Sequence, residues 1–228
     1  MAVTATALTS SFSISNLSVY TTASITPTAD NLVLLAVGHQ EASPYETLTP
    51  TGNGLTWVEV ASVEASGTGT QKLWLYRAMH ASPSAGVVTL TFGGTVNSCI
   101  WSINEFAGID TGGADGADAI VQSVADTTSV SQTSFTVNLA GFGDASNATY
   151  GAFYRNAIAA ISPGAGFTEL HDTSDAEGRR MQSEWRNDND QTVDATNGGS
   201  SRWLGIGAEI KAATGGSTNT GIWGAPIV

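Results

Sequence analysis

Apolar and polar residues alternate with period two along most of the chain. Leu73, Leu75 and Arg77 fall on one face of a strand and Trp74 and Tyr76 on the other. Val88, Leu90 and Phe92 alternate with Thr89 and Thr91, and Ile100, Ser102, Asn104 and Phe106 oppose Trp101, Ile103 and Glu105. Successive side chains of a strand point to opposite faces, so this period predicts β structure, and the supply of Val, Ile, Thr and aromatic residues agrees with it. Almost nothing has helical spacing. Turn signals punctuate the runs: Thr51-Gly52-Asn53-Gly54, Ser66-Gly67-Thr68-Gly69, Ser82-Pro83-Ser84, Phe92-Gly93-Gly94, Thr111-Gly112-Gly113 and Asn197-Gly198-Gly199.

The runs recur. Asn31 precedes LVLLAVGHQ and Asn147 precedes ATYGAFYRN, 116 residues on. Gly54-Leu55-Thr56 matches Gly166-Phe167-Thr168, Tyr76-Arg77 matches Trp185-Arg186, and NSCIWSINEF matches SRWLGIGAEI, which sets Glu105 against Glu209. Order is kept while the offset shrinks, as it would if the second copy had shorter loops. Each copy then supplies six strands: 18–26, 32–39, 55–63, 71–79, 86–92 and 97–107, then 133–140, 148–156, 167–172, 179–187, 191–196 and 202–211. The fold expected is all-β: a two-sheet antiparallel sandwich, jelly-roll-like, with about 12 strands from two diverged six-strand repeats. Residues 18–211 form that single sandwich, with copy one at 18–107, a linker and bridging strand (near 119–124) at 108–132, and copy two at 133–211. Residues 1–17 read as an N-terminal arm. Residues 212–228 read as a flexible linker with an apolar tail.

Composition narrows the function. Of 228 residues only 12% are charged, and the formal net charge is −12. Such a surface repels phosphate backbones and anionic leaflets, so neither nucleic acid nor membrane is an expected partner. The lone Cys99, in the apolar run Cys99-Ile100-Trp101, reads as a buried structural thiol. The N-terminus lacks the basic and apolar segments of a signal peptide, and no run is long enough to span a bilayer. The protein is therefore expected to be made in the cytoplasm of the cell that produces it.

Catalytic patterns are missing. His39, His80 and His171 are scattered with no metal-ligand spacing, and His39 reads as a loop histidine. Glu59 with Glu64, or Glu105 with Glu209, could serve as the carboxylate pair of a glycosidase. Equivalent outward positions on equivalent strands account for Glu105 and Glu209 more simply. Asp110, Asp115 and Asp118 in one Gly-rich loop are the candidate ligands for a calcium ion, with Asp188, Asp190 and Asp194 as a second acidic group. No other cofactor is expected. Trp74, Trp101, Trp185 and Trp203 sit in strands and read as packing residues. Trp223 lies outside the repeat, on a tether with Ile222, Pro226, Ile227 and Val228, and these are the candidate partner-docking residues.

The run LVLLAVGH…GNGLTWVEV…LWLYRAM…SAGVVTLTFGG…CIWSINEFAGID resembles a β-sandwich domain of phage and prophage virion proteins and of some bacterial surface proteins. The resemblance rests on Gly54-Leu55-Thr56-Trp57 and on the Glu105-Phe106-x-Gly108-x-Asp110 ending, and covers residues 18–125. It implies a structural or adhesive role and carries over no site residues. The expectation is thus a non-enzymatic virion component, a capsid decoration or an accessory head or tail protein. It would dock on a repeating lattice of other virion proteins as a homo-oligomer, a trimer being one arrangement. The alternative is a carbohydrate-binding module that recognises glycans of a host surface.

Overall fold

The computed structural model describes residues 2–40, 47–65 and 71–214. It contains 16 strands and one short 3-10 segment, Ala114–Ala119. The first eight strands are β1 (Thr4–Ser13), β2 (Leu17–Thr21), β3 (Leu32–Gln40), β4 (Leu48–Gly52), β5 (Val58–Glu64), β6 (Gln71–Ala78), β7 (Val88–Val96) and β8 (Ser98–Ala107). They form a five-stranded antiparallel sheet in the order β1-β8-β3-β6-β5 and a three-stranded sheet in the order β2-β7-β4. The next eight are β9 (Ile120–Thr127), β10 (Gln132–Asn138), β11 (Ala148–Arg155), β12 (Ile161–Pro163), β13 (Thr168–Ser174), β14 (Arg180–Arg186), β15 (Thr192–Ser201) and β16 (Trp203–Ile210). Their sheets run β9-β16-β11-β14-β13 and β10-β15-β12. Raising each strand number by eight converts the first pair of sheets into the second, so the repeat holds at the level of topology.

Residue pairing carries the repeat further. Leu32 pairs with Phe106 as Ala148 pairs with Ile210, and Val33 with Glu105 as Thr149 with Glu209. Pro50 faces Leu90 as Pro163 faces Ala195. The match of Tyr76-Arg77 with Trp185-Arg186 is out by one residue: Leu34 pairs with Arg77 and its counterpart Tyr150 with Trp185. Because a shift of one residue reverses the face, Glu184 takes the place of Tyr76, and Trp185 that of Arg77.

Other expectations are corrected as well. The arm 1–17 is mostly β1, hydrogen-bonded along β8, and the bridging strand near 119–124 is its counterpart β9, paired with β16. With β4 and β12 added, each copy has eight strands rather than six. Pro50 and Pro163 lie in these two short strands, at sheet edges where a missing N–H does no harm. Phe92-Gly93-Gly94 and Asn197-Gly198-Gly199 are not turns. They lie inside β7 and β15, beside register irregularities opposite β2 and β10.

The two copies do not share one sandwich. Each is a sandwich of its own, and their five-stranded sheets pack face to face, giving four layers. Between the two five-stranded sheets lies the largest apolar cluster, with Leu32, Leu34, Leu73, Leu75 and Phe106 against Tyr150, Tyr154, Leu204, Ile206 and Ile210. The first outer layer closes over Val33, Leu35, Val37, Trp74, Tyr76, Trp101 and Ile103, and the second over Phe135, Val137, Phe153, Val193 and Trp203. The five-stranded sheets are therefore buried on both faces, which is why no residue of β11 or β16 is exposed.

Contacts across the middle layer come in exchanged pairs. β1 meets β13 as β9 meets β5, β8 meets β14 as β16 meets β6, and β8 meets β13 as β16 meets β5. That is the contact pattern of a two-fold interface between like subunits. It is not perfectly symmetric. Gly38 and Tyr154 occupy equivalent positions and meet: a Cβ on Gly38 would lie 2.4 Å from the Tyr154 ring. At the same interface Ser102 and Ser183 share a 2.8 Å hydrogen bond, and Asn104 Nδ2 donates to Ser102 Oγ at 2.9 Å. Substituting Gly38→Val should destabilise the protein by about 3 kcal/mol, at the upper end of overpacking costs. Adding Tyr154→Ala should recover part of that loss. Denaturant unfolding of both single variants and the double variant measures the coupling, and additive losses would show that the two positions do not meet.

Candidate docking surface

β2, β4 and β7 contain no charged residue and no histidine. Their inward residues, Tyr20, Leu48, Val88, Leu90 and Phe92, cover the first core. Alternation then puts Val19 and Thr21 of β2, Thr89 and Thr91 of β7, and Thr49 and Thr51 of β4 on the outer face. Register aligns them in two rows, Val19–Thr91–Thr49 and Thr21–Thr89–Thr51. All are exposed except Thr89, which is half-buried. Neighbouring strands lie about 4.8 Å apart, so this is a regular array of hydroxyl and methyl groups. The corresponding face of the second copy carries Ser134, Thr136, Ser162 and Thr196 but also Asp194.

Beside this face, along the open edge of the first sandwich, runs a groove of about 490 Å³ between β1 and β2. Thr9 to Ser13, Leu17, Val19 to Ala23 and Trp101 line it, none of them charged. Phe12, Leu17 and Val19 are exposed there, with Leu17 at 48%. The Tyr20 hydroxyl lies 2.9 Å from Val96 O and 2.5 Å from Ser15 O, so its one proton is shared between the two carbonyls. The Trp101 indole N–H is buried and has no hydrogen-bond partner among the described residues.

The residues singled out from sequence are placed as follows. Asp110 is engaged by Lys211 Nζ at 2.7 Å and by the Gly112 amide at 2.8 Å, which holds its carboxyl below the usual range. Asp118 lies against Gly112 and Gly113 in the same loop, while Asp115 offers its backbone carbonyl to Arg77. No group of three carboxylate, histidine or cysteine side chains able to hold a metal ion forms among the described residues. In the second acidic loop Arg186 pairs with both Asp188 and Asp190, so a protein cation already sits among these carboxylates. Glu105 and Glu209 are buried rather than outward. Glu105 accepts from the Thr28 amide and hydroxyl, and Glu209 from Gln122 and Asn147, both at 2.6 Å. Glu59 is exposed and Glu64 pairs with Lys72. His39 is not in a loop: it lies fully buried in β3, stacked on Trp74 with ring centroids 4.7 Å apart. Trp74, Trp101 and Trp203 are buried, and Trp185 packs half-buried against the middle core. Cys99 is buried, which pushes its thiol up. Ile222, Trp223, Pro226, Ile227 and Val228 lie outside the described residues.

The Thr array and the groove were missed in the sequence. The Thr-x-Thr pairs of β4 and β7 are irregularly spaced along the chain and become neighbours only through strand pairing. The groove needs β1, whose Ser/Thr-rich sequence has the pattern of an arm.

No protein-family model, curated protein or solved structure matches the chain significantly. Among the described residues no helix is long and apolar enough to cross a membrane.

Two buried ionisable groups contribute to how stability should depend on pH. Glu184, aimed into the second core, accepts from Gln182 at 3.0 Å and from the Gly164 amide at 3.3 Å, but burial dominates and pushes it up to about 8. Burial, with a smaller effect from Lys72, pushes His39 down to about 3. For His39 the unfolded chain binds more protons, so its contribution to stability should rise with pH from about 3 to its ordinary value near 6.5. For Glu184 the native state binds more protons, so its contribution should fall from about pH 4.5 to about 8. Glu184→Gln should therefore leave stability at pH 5 nearly unchanged and raise it at pH 8.5 by a few kcal/mol, the order implied by a shift of this size. Chemical denaturation at the two pH values measures this, and an equal effect at both would show that Glu184 does not titrate in this window.

Proposed function

We propose that the protein is a structural component of a bacteriophage virion, a capsid decoration or an accessory head or tail protein, that docks on a repeating protein lattice. The observation that carries this reading is the uncharged outer face of β2, β7 and β4 on a chain of net charge −12. An interface centre is depleted in charge, and hydroxyl and methyl groups on a rigid sheet can be desolvated with little loss. The acidic remainder keeps free copies apart until a partner is met. The phage assignment rests on the sequence resemblance, and a lattice multiplies a modest contact by repetition. Glycan recognition gains less support, because Trp74, Trp101 and Trp203, which could stack on a sugar ring, are turned into the cores.

The test uses virions of the phage that encodes the chain, grown without its gene and mixed with purified protein. Saturable comigration with particles in a density gradient is expected. Thr49→Lys with Thr91→Lys should weaken it by roughly a hundredfold, since leaving a buried charge unpaired costs about 3 kcal/mol or more. The circular dichroism spectrum should not change. Particles that bind no protein would overturn the reading, and undiminished binding by the double variant would overturn the assignment of this face.

A further inference from the structure

The sequence carries no charged side chain from Met1 to Ala29, in a chain of net charge −12. β1 and β2 lie in this stretch, and each is an edge strand, β1 of the first five-stranded sheet and β2 of the first three-stranded sheet. Together they form one edge of the first sandwich, with the groove of about 490 Å³ between them. Phe12, Ile14, Leu17 and Val19 are four of the eight exposed large apolar side chains among the described residues, so half of that surface is gathered on this edge. The backbone of β2 is open there too. The Thr22 amide donates inward to Val88 O of β7, and alternation then turns the N–H and C=O of Val19 and Thr21 to the free side.

An open strand edge is a template for pairing with another chain, and proteins commonly block it with charge or proline. The other edges of this fold are blocked. Pro50 and Pro163 interrupt β4 and β12, β5 carries Glu59 and Glu64, and β13 carries Glu169 and Asp172. The edge of β9 and β10, equivalent to that of β1 and β2, is closed by other means. Asp126 pairs with Gly205 as Ser11 pairs with Trp101, so an exposed carboxylate stands where β1 has a serine. Gln122 of β9 bonds both the amide and the carbonyl of Ala140, at 2.9 and 3.1 Å, and so ties β9 to the segment after β10. The Phe135 ring comes within 2.8 Å of where a Gly205 Cβ would be and fills the corner from within.

The occupant that fits the open edge is a second copy of the chain. Acidic copies repel one another except where carboxylates lie beyond the reach of screened charge, about 8 Å at physiological salt, and this edge is the long uncharged stretch that allows contact. It is also self-complementary: a two-fold axis perpendicular to the outer sheet sets Val19 against Val19 and Leu17 against Thr21. One open edge per chain closes the assembly at two copies. We propose that the protein forms a dimer in which β2 pairs antiparallel with β2 of a second copy, with the axis between the two Val19 residues. The three-stranded outer sheets become one sheet of six strands, and the two β1–β2 grooves face each other so that Phe12 and Leu17 are covered. The rows Val19–Thr91–Thr49 of the two copies then join end to end. The inference is independent of the virion reading, and its test needs no particle.

Sedimentation of the free protein at about 100 μM, where a micromolar contact is populated, should give twice the chain mass. Val19→Lys sets two like charges against each other across the axis and should weaken self-association at least tenfold, with the circular dichroism spectrum unchanged. Thr49→Lys with Thr91→Lys, which charges the outer face and not the edge, should leave the dimer within about twofold. Mild oxidation of Val19→Cys should give a disulfide-linked dimer, and Val130→Cys, equally accessible but in the second copy of the repeat, should not. A monomer at this concentration would overturn the proposal, and a trimer would overturn the two-fold pairing. A dimer that survives Val19→Lys would overturn the assignment of this edge.

Discussion

Everything in this fold depends on the packing of one five-stranded sheet against another. A sheet with an apolar face must cover it, and these two have apolar residues on both faces. Leu32, Leu34 and Ala36 of β3 face the partner sheet while Val33, Leu35 and Val37 face the outer layer. Neither copy can satisfy the first set alone, so half of each central sheet would be exposed if the copies separated. The middle layer thus makes two sandwiches into one structure. It also stiffens the outer sheets, because each rests on a sheet held from behind.

Exchange of equivalent strand contacts across that layer is what two identical subunits would produce, and covalent linkage of the copies then permits departures from symmetry. Gly38 against Tyr154 is such a departure. Two glycines would leave a void and two tyrosines would collide, so the heterologous pair packs better than either like pair. The hydrogen bonds joining Ser102, Asn104 and Ser183 work in the same direction. Polar groups buried in an interface demand one particular alignment, since any other leaves them unpaired.

The β class and the repeat were legible because they depend on local pattern: alternation, turn residues and the order of matched strands. The layering was not, although the sequence held its signal. LVLLAV in β3 is continuous rather than alternating, as expected of a strand buried on both faces. A single sandwich would call for only one apolar face, and the run has two. β1 is not legible because it is half-exposed, as an edge strand can be; β9 shows only as a bridging strand; and β4 and β12 are hidden because a proline interrupts each. The one-residue error at Tyr76-Arg77 came from matching residue types where strand pairing sets the register. Of the candidate site residues, Asp110 pairs with Lys211, and Glu105 and Glu209 are equivalent, as the repeat implies, but buried where outward positions are expected. Burial of both faces explains the last point too: a buried sheet has no outward side.

Equivalent positions that have diverged show where the two copies have taken different roles. His39 stacked on Trp74 corresponds to Arg155 over Trp203, so each copy keeps a nitrogen-bearing ring or fork on an indole while changing which strand supplies the indole. Tyr76, which bonds Leu48 O at 2.7 Å, corresponds to Glu184, one oxygen of which has no hydrogen-bond partner among the described residues. Trp101 corresponds to Gly205, and with that exchange the β1–β2 corner opens in one copy and closes in the other. The outer faces diverge likewise, one wholly neutral and one carrying Asp194. These differences fall in the outer halves of the sandwiches, where a substitution alters one copy alone. In the middle layer a change in either copy disturbs both, so a departure there, such as Gly38 against Tyr154, is matched by its neighbour across the interface.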